Sequence, residues 1–189
     1  MENKLKLKEI VVIAMLSAIL GVVFTGMDSL YQPIQNILGP LGGDMIGGIY
    51  FLSALLPAFI VRKPGAAITG SLFTGVMNLL LGSPYGIHII VASALQGIAV
   101  EIVLSLGRYK SYSILSMALS AMLATIFVTT RDYFVFGLNL YANMIFVMIV
   151  IRLISAAVLG AGLSMILGNG LKSTGVLNGF RINKSKNLY

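Results

Sequence analysis

Six long apolar runs, broken only by short clusters of Gly, Pro, Ser and basic residues, dominate this chain. They cover residues 10–27, 45–61, 65–81, 86–106, 113–130 and 141–167. A helix of about 17–25 apolar residues matches the hydrocarbon thickness of a bilayer. A chain built this way has too little polar surface to clothe a water-soluble core. Composition agrees: 58% of the residues are hydrophobic and 10% charged, against about 25% charged in soluble domains. The expected fold is an all-α integral membrane protein with six transmembrane helices, in one membrane domain over residues 1–189. A soluble enzyme, a disordered tail and a nucleic-acid-binding module are excluded on the same grounds.

The breakers set the connections. Gly39-Pro40 and Gly42-Gly43 precede the second run, Arg62-Lys63-Pro64-Gly65 makes a tight turn before the third, and Gly82-Ser83-Pro84-Tyr85-Gly86 turns into the fourth. Orientation follows from the 13 Lys and Arg residues. With the N-terminus inside, Lys4, Lys6, Lys8, Arg62, Lys63, Arg108, Lys110, Lys172, Arg181, Lys184 and Lys186 all fall on the cytoplasmic side. Arg131 alone falls outside, and Arg152 lies within a span. Both termini are therefore expected in the cytoplasm, in a multi-pass protein of a prokaryotic cell membrane. The basic start mimics a signal peptide, but the run over residues 10–27 is too long for a signal core and no Ala-x-Ala site follows, so it reads as a retained span. The chain has no Cys and a single His, His88, which excludes disulfides, thiol nucleophiles and multi-His metal sites. No catalytic residue, metal site or cofactor is expected, since no P-loop, His-Glu-x-x-His or Gly-x-Ser-x-Gly is present.

Polar groups inside a bilayer are costly and each needs a reason. The third run carries Ser71, Thr74 and Asn78, the fourth His88, Gln96 and Glu101, and the sixth Arg152. At 1.5 Å per residue Gln96 lies about 15 Å deep, Glu101 about 22 Å and Arg152 about 16 Å. Glu101 and Arg152 are thus within reach by depth, either as a structural ion pair pinning two helices or as ligand contacts. His88 reads as an interfacial residue or a ligand contact. Two outer loops, over residues 28–44 and 131–140, are long enough to cover an outward-facing cavity. The first holds Tyr31 and Gln35 between Asp28 and Asp44, which read as helix-end residues facing water, Asp44 as the N-cap of the second span. The second holds Arg131, Asp132 and Tyr133, either a solvated pair at a helix end or part of an aromatic-lined site for a cationic ring. On the first span, Ala14-x-x-x-Ala18 would let another helix approach closely.

Taken together, several stretches resemble the YkoE-type substrate-binding (S) components of energy-coupling-factor (ECF) transporters. They are Gly39-Pro40-Leu41, Ile49-Tyr50-Phe51, Ile60-Val61-Arg62-Lys63-Pro64-Gly65-Ala66-Ala67, Leu81-Gly82-Ser83-Pro84-Tyr85-Gly86, Gln96-Gly97-x-x-x-Glu101, Ile151-Arg152-Leu153-Ile154-Ser155 and Thr174-Gly175-Val176-Leu177-Asn178-Gly179. The resemblance implies a bilayer-embedded subunit that captures a small vitamin-like molecule outside, thiamin or its hydroxymethylpyrimidine precursor. It also implies docking on a transmembrane coupling (T) subunit that carries two ATPases. Ala14 and Ala18 match the family's docking face. Gln96, Glu101 and Asp132 match its pattern, and Asp44 matches in charge. Ser71 and Asn78 stand where the pattern has acids, and Trp is absent, so stacking would fall to tyrosines. The expected ligand residues are Asp44, Ser71, Asn78, Tyr85, His88, Gln96, Glu101, Asp132, Tyr133 and Tyr141. The alternative is a stand-alone, gradient-driven transporter of a small heterocycle, relaying protons through Glu101, Arg152 or His88.

Overall fold

The computed structural model of the chain describes residues 4–184, and every regular element among them is helical. Lys186, one of the basic residues assigned above to the cytoplasmic side, lies outside the described residues. The helices are α1 (Leu7–Leu38), α2 (Pro40–Ile46), α3 (Leu52–Val61), α4 (Ala66–Leu80), α5 (His88–Leu106), α6 (Ile114–Val135), α7 (Ile145–Ser155), α8 (Leu163–Ser173) and α9 (Arg181–Lys184). A 3₁₀ stretch, Gly47–Phe51, joins α2 to α3, and a π-helical stretch, Ala156–Gly162, joins α7 to α8. Five rods are long and apolar enough to cross a membrane: Leu7–Leu38, Leu41–Val61, His88–Leu106, Ile114–Val135 and Ile145–Ser173. The remaining apolar helix, α4, has 15 residues, about 22 Å of rise against about 30 Å of hydrocarbon.

The segment over residues 28–44, expected as an outer loop, is largely helix. α1 runs unbroken for 32 residues, through Pro33, a length of about 48 Å that overshoots the hydrocarbon. Its polar second half looked like loop by composition, yet the helical ladder tolerates Pro33 at the loss of one donor. The rod ends only at Gly39, whose φ of 72° favours glycine. Asp44 is accordingly not the N-cap of the second span. It sits inside α2, whose N-cap is Gly39.

The core is organised around α3, all ten residues of which are buried. A helix apolar on every side belongs in the centre of a bundle. Leu55, Leu56, Ile60 and Val61 fill that centre, with Ile13, Val100, Leu104 and Met117 arriving from α1, α5 and α6. Where the two irregular rods cross, Gly48 lies so close to Ser155 that a Cβ would overlap its carbonyl. The Gly48 N–H donates to Ser155 Oγ (2.9 Å), which donates to the Met45 carbonyl (2.7 Å).

The end of the bundle carrying the start of α1 and α9 is closed by polar contacts. Lys63 pairs with Glu9 (2.7 Å) and donates to the Lys4 carbonyl (3.0 Å). Arg62, at φ 54°, lays its guanidinium over the rings of Phe59 and Tyr112, 5.1 Å from each centroid. The segment after α8 folds back, burying Leu177, Phe180 and Ile182. Of the Thr-Gly-Val-Leu-Asn-Gly stretch, Leu177 alone enters the core, while Val176 and Asn178 stay exposed.

Candidate ligand-binding site

At the opposite end of the bundle, the second half of α1, the α2–α3 rod, the end of α4, the start of α5, the end of α6 and α7 diverge around a cavity of about 350 Å³. That volume suits a small organic molecule. Phe24, Asp28, Tyr31 and Gln35 reach it from α1, spaced as one stripe of a helix. Three carboxylates and two guanidiniums line it. Arg152 Nε donates to Asp44 Oδ1 (2.6 Å) and Arg152 Nη1 to Asp132 Oδ2 (2.8 Å). Arg131 donates through Nε to Asp132 Oδ1 (3.0 Å) and through Nη1 to the His88 carbonyl (3.0 Å). Asp44, Arg152, Asp132 and Arg131 thus form one charge-alternating chain across α2, α7 and α6. Asp28, 2% exposed, stands apart from it. Its Oδ1 accepts the Tyr50 hydroxyl (2.6 Å) and its Oδ2 the Ser83 hydroxyl (2.7 Å).

Two buried polar atoms on the cavity wall have no protein partner. Asp44 Oδ2 is an unused acceptor and Asn78 Nδ2 an unused donor, while Asn78 Oδ1 already accepts the Thr25 hydroxyl (2.9 Å). Buried polar groups are normally satisfied, so these two atoms are open to a partner that the protein itself does not supply. Deeper in, Ser53 Oγ lies between Gln96 Oε1 (2.8 Å) and the Tyr50 carbonyl (2.9 Å). Rings cross the mouth edge to face: Tyr31 to Tyr85 (6.4 Å), Tyr85 to Phe136 (6.1 Å) and Phe136 to His88 (5.5 Å). Burial, and next the nearby Tyr31 and Asp28, push the Tyr85 phenol above its usual range. It remains a neutral hydrogen-bonding ring at physiological pH.

Of the residues expected at the site, Asp44, Asn78, Tyr85, Gln96, Asp132 and Tyr141 line this cavity. Ser71, His88, Glu101 and Tyr133 do not. Ser71 is packed under Gly97 at the α4–α5 crossing. His88 sits exposed at the start of α5 with its ring against Phe136. Tyr133 opens onto a separate apolar groove between α6 and α7. The expected Glu101–Arg152 ion pair is not formed. Arg152 is taken by Asp44 and Asp132. Glu101 faces α4 instead, where it accepts the Ala67 N–H (2.9 Å) and the Tyr109 hydroxyl (2.7 Å). Asp28, expected as a helix-end residue facing water, lies inside α1 and is buried, and neither it nor Tyr50 was among the expected ligand residues. The helical spacing of Phe24, Asp28, Tyr31 and Gln35 was the available signal, hidden by the assumption that α1 ended at residue 27.

Comparison with known proteins agrees with this architecture. A family model described as the permease component of an ABC-type cobalt transport system matches residues 8–127. The chain is 34% identical over 180 residues to the "Putative HMP/thiamine permease protein YkoE" of Bacillus subtilis (strain 168), covering 95% of this chain and 90% of that one. It superposes on a solved crystal structure of an S-component of an ECF transporter with a TM-score of 0.92 and 33% identity, covering 96% of this chain and 93% of that one. End-to-end identity of this order, on the same helical fold, places the chain in the YkoE-type family of substrate-binding components of ECF transporters.

Proposed function

We propose that the chain is the capture subunit of an ATP-driven importer whose ligand is thiamin or its hydroxymethylpyrimidine precursor. The observation that carries this reading is a ring-walled cavity holding one orphaned buried acceptor, Asp44 Oδ2, and one orphaned buried donor, Asn78 Nδ2. An aminopyrimidine offers a complementary pair, an exocyclic amine that donates and a ring nitrogen that accepts. Gln96 and Asp132 extend the polar wall, and Tyr85 and Tyr141 supply ring surface. The name of the B. subtilis relative supports the same ligand class.

In this reading six helices cross the cell membrane, α4 as a short span, and both termini are cytoplasmic. The cavity then opens outward, at the end of the bundle remote from Lys63 and Arg181. The chain binds its ligand unaided and docks through the Ala14–Ala18 face on a T subunit carrying two ATPases, which supply the energy. Hydrolysis is the partners' chemistry, and no residue here is assigned a catalytic role.

Isothermal titration of the detergent-purified chain with thiamin and then hydroxymethylpyrimidine tests this. Calorimetry suits a chain with no Trp. Tight binding of either ligand, without partners or ATP, is the expected result. Binding of neither overturns the ligand assignment.

A further inference from the structure

Asp28 is the unbalanced charge of the cavity. Three lining carboxylates meet two guanidiniums, which leaves one formal negative charge. The hydrogen bonds say where it resides. Asp44 and Asp132 are bound by Arg152, and Asp132 also by Arg131. Asp28 has no ion pair among the described residues. Its two contacts are hydroxyls, one on each carboxylate oxygen, at 2.6 and 2.7 Å. Each oxygen has a hydroxyl partner, at distances short enough for charge-assisted bonds. Neutral donors hold the group but do not cancel its charge. A carboxylate 2% exposed with no counter-ion is costly to keep, and the cost is offset when a cation enters the cavity. Tyr50 and Ser83 come from the α2–α3 rod and the α4–α5 turn, so the carboxylate is fixed in place before any ligand arrives.

We infer that Asp28 is the specificity-determining residue that makes this cavity prefer a monocationic heterocycle over a neutral one of the same shape. The inference rests on the ligand class proposed above and narrows it. A quaternary ring nitrogen, as in the thiazolium of thiamin, neutralises the site. The uncharged pyrimidine alone leaves Asp28 uncompensated. Phosphorylation of the ligand adds negative charge and restores the imbalance.

The test is a cycle of two proteins and two ligands, read by calorimetry. The ligands are thiamin and its neutral isostere, in which a thiophene replaces the thiazolium. The wild-type chain is expected to prefer thiamin by about 100-fold, the scale of one charge pair at an intermediate dielectric. In Asp28→Asn, which keeps the shape and an acceptor for Tyr50, that preference is expected to shrink to about threefold or less, with the isostere bound much as before. Asp44→Asn and Asp132→Asn, whose charges already have partners, are expected to weaken both ligands together and keep the preference. That arm carries the assignment if Asp28→Asn does not fold. A wild type without preference overturns the inference while leaving the capture reading intact, as does an unchanged preference in Asp28→Asn or its collapse in Asp44→Asn or Asp132→Asn. A wild type that binds neither compound overturns both.

Discussion

Arg152 is the residue on which the order of the site turns. Its guanidinium holds Asp44 and Asp132 at once, at 2.6 and 2.8 Å, and so ties α2, α6 and α7 around the cavity. Arg152→Met would leave Asp44, 2% exposed, without a counter-charge. Removing one partner of a buried ion pair costs about 3–5 kcal/mol. The variant is expected to melt well below the wild type by circular dichroism in detergent, and a coincident melt would refute the clamp. Asp132→Ala is milder for the fold, because Arg152 keeps Asp44. It breaks the bridge between the two arginines and removes an acceptor from the wall, so affinity for thiamin is expected to drop by about tenfold or more. A titration indistinguishable from wild type would take Asp132 out of the site.

Glu101 shows how one element completes another. α4 begins after Gly65, in a left-handed conformation and with no side-chain cap of its own. Glu101 crosses from α5 to accept the Ala67 N–H at 2.9 Å, doing across the bundle what a cap does locally. Its second oxygen takes the Tyr109 hydroxyl and so holds a turn in which Arg108 and Tyr109 both adopt positive φ. Glu101→Ala leaves that N–H buried and unmet, an expected loss of about 1–3 kcal/mol in stability. Ligand affinity is expected to stay close to wild type, since Glu101 does not reach the cavity. Affinity falling by tenfold in a folded Glu101→Ala variant would return the residue to the ligand. The same residue marks the limit of sequence reading. Run lengths and breakers located the apolar helices because both are local properties. Depth along a helix placed Glu101 and Arg152 at similar levels, but the direction each side chain faces is set by packing, and there Glu101 turns to α4 and Arg152 to α2 and α6. Asp28 was lost for a different reason. The polar residues after Met27 looked like loop, although their spacing keeps them on the stripe begun by Phe24.

At the scale of the whole molecule, the proposed topology, cavity outward and Lys63 end cytoplasmic, is directly measurable. The chain contains no Cys, so a single introduced thiol reports its own side of the membrane. Ser111→Cys, in the exposed turn before α6, is expected to react with a membrane-impermeant maleimide only after cells are opened. Leu140→Cys, at a position 83% exposed, is expected to react in intact cells, and the reverse pattern would invert the orientation. The second claim concerns α1. Ile13, Ser17, Leu20 and Phe24 bury one side of it, and Ser17 donates to the Gly70 carbonyl (3.0 Å). The other side presents Val11, Met15 and Val22, 48%, 63% and 59% exposed, with half-buried Ala14 and Ala18 among them. Small residues in an apolar stripe leave a shallow channel that a partner helix can enter. Trp at positions 14 and 18 fills that channel without touching the face that packs on the bundle. The Ala14→Trp, Ala18→Trp double variant is therefore expected to bind thiamin like the wild type while uptake in cells supplying the coupling subunits falls to background. Retained uptake would move docking to another face, and lost binding would mean that the two tryptophans disturb the bundle itself, so the pairing of the two readouts isolates the α1 surface from the cavity.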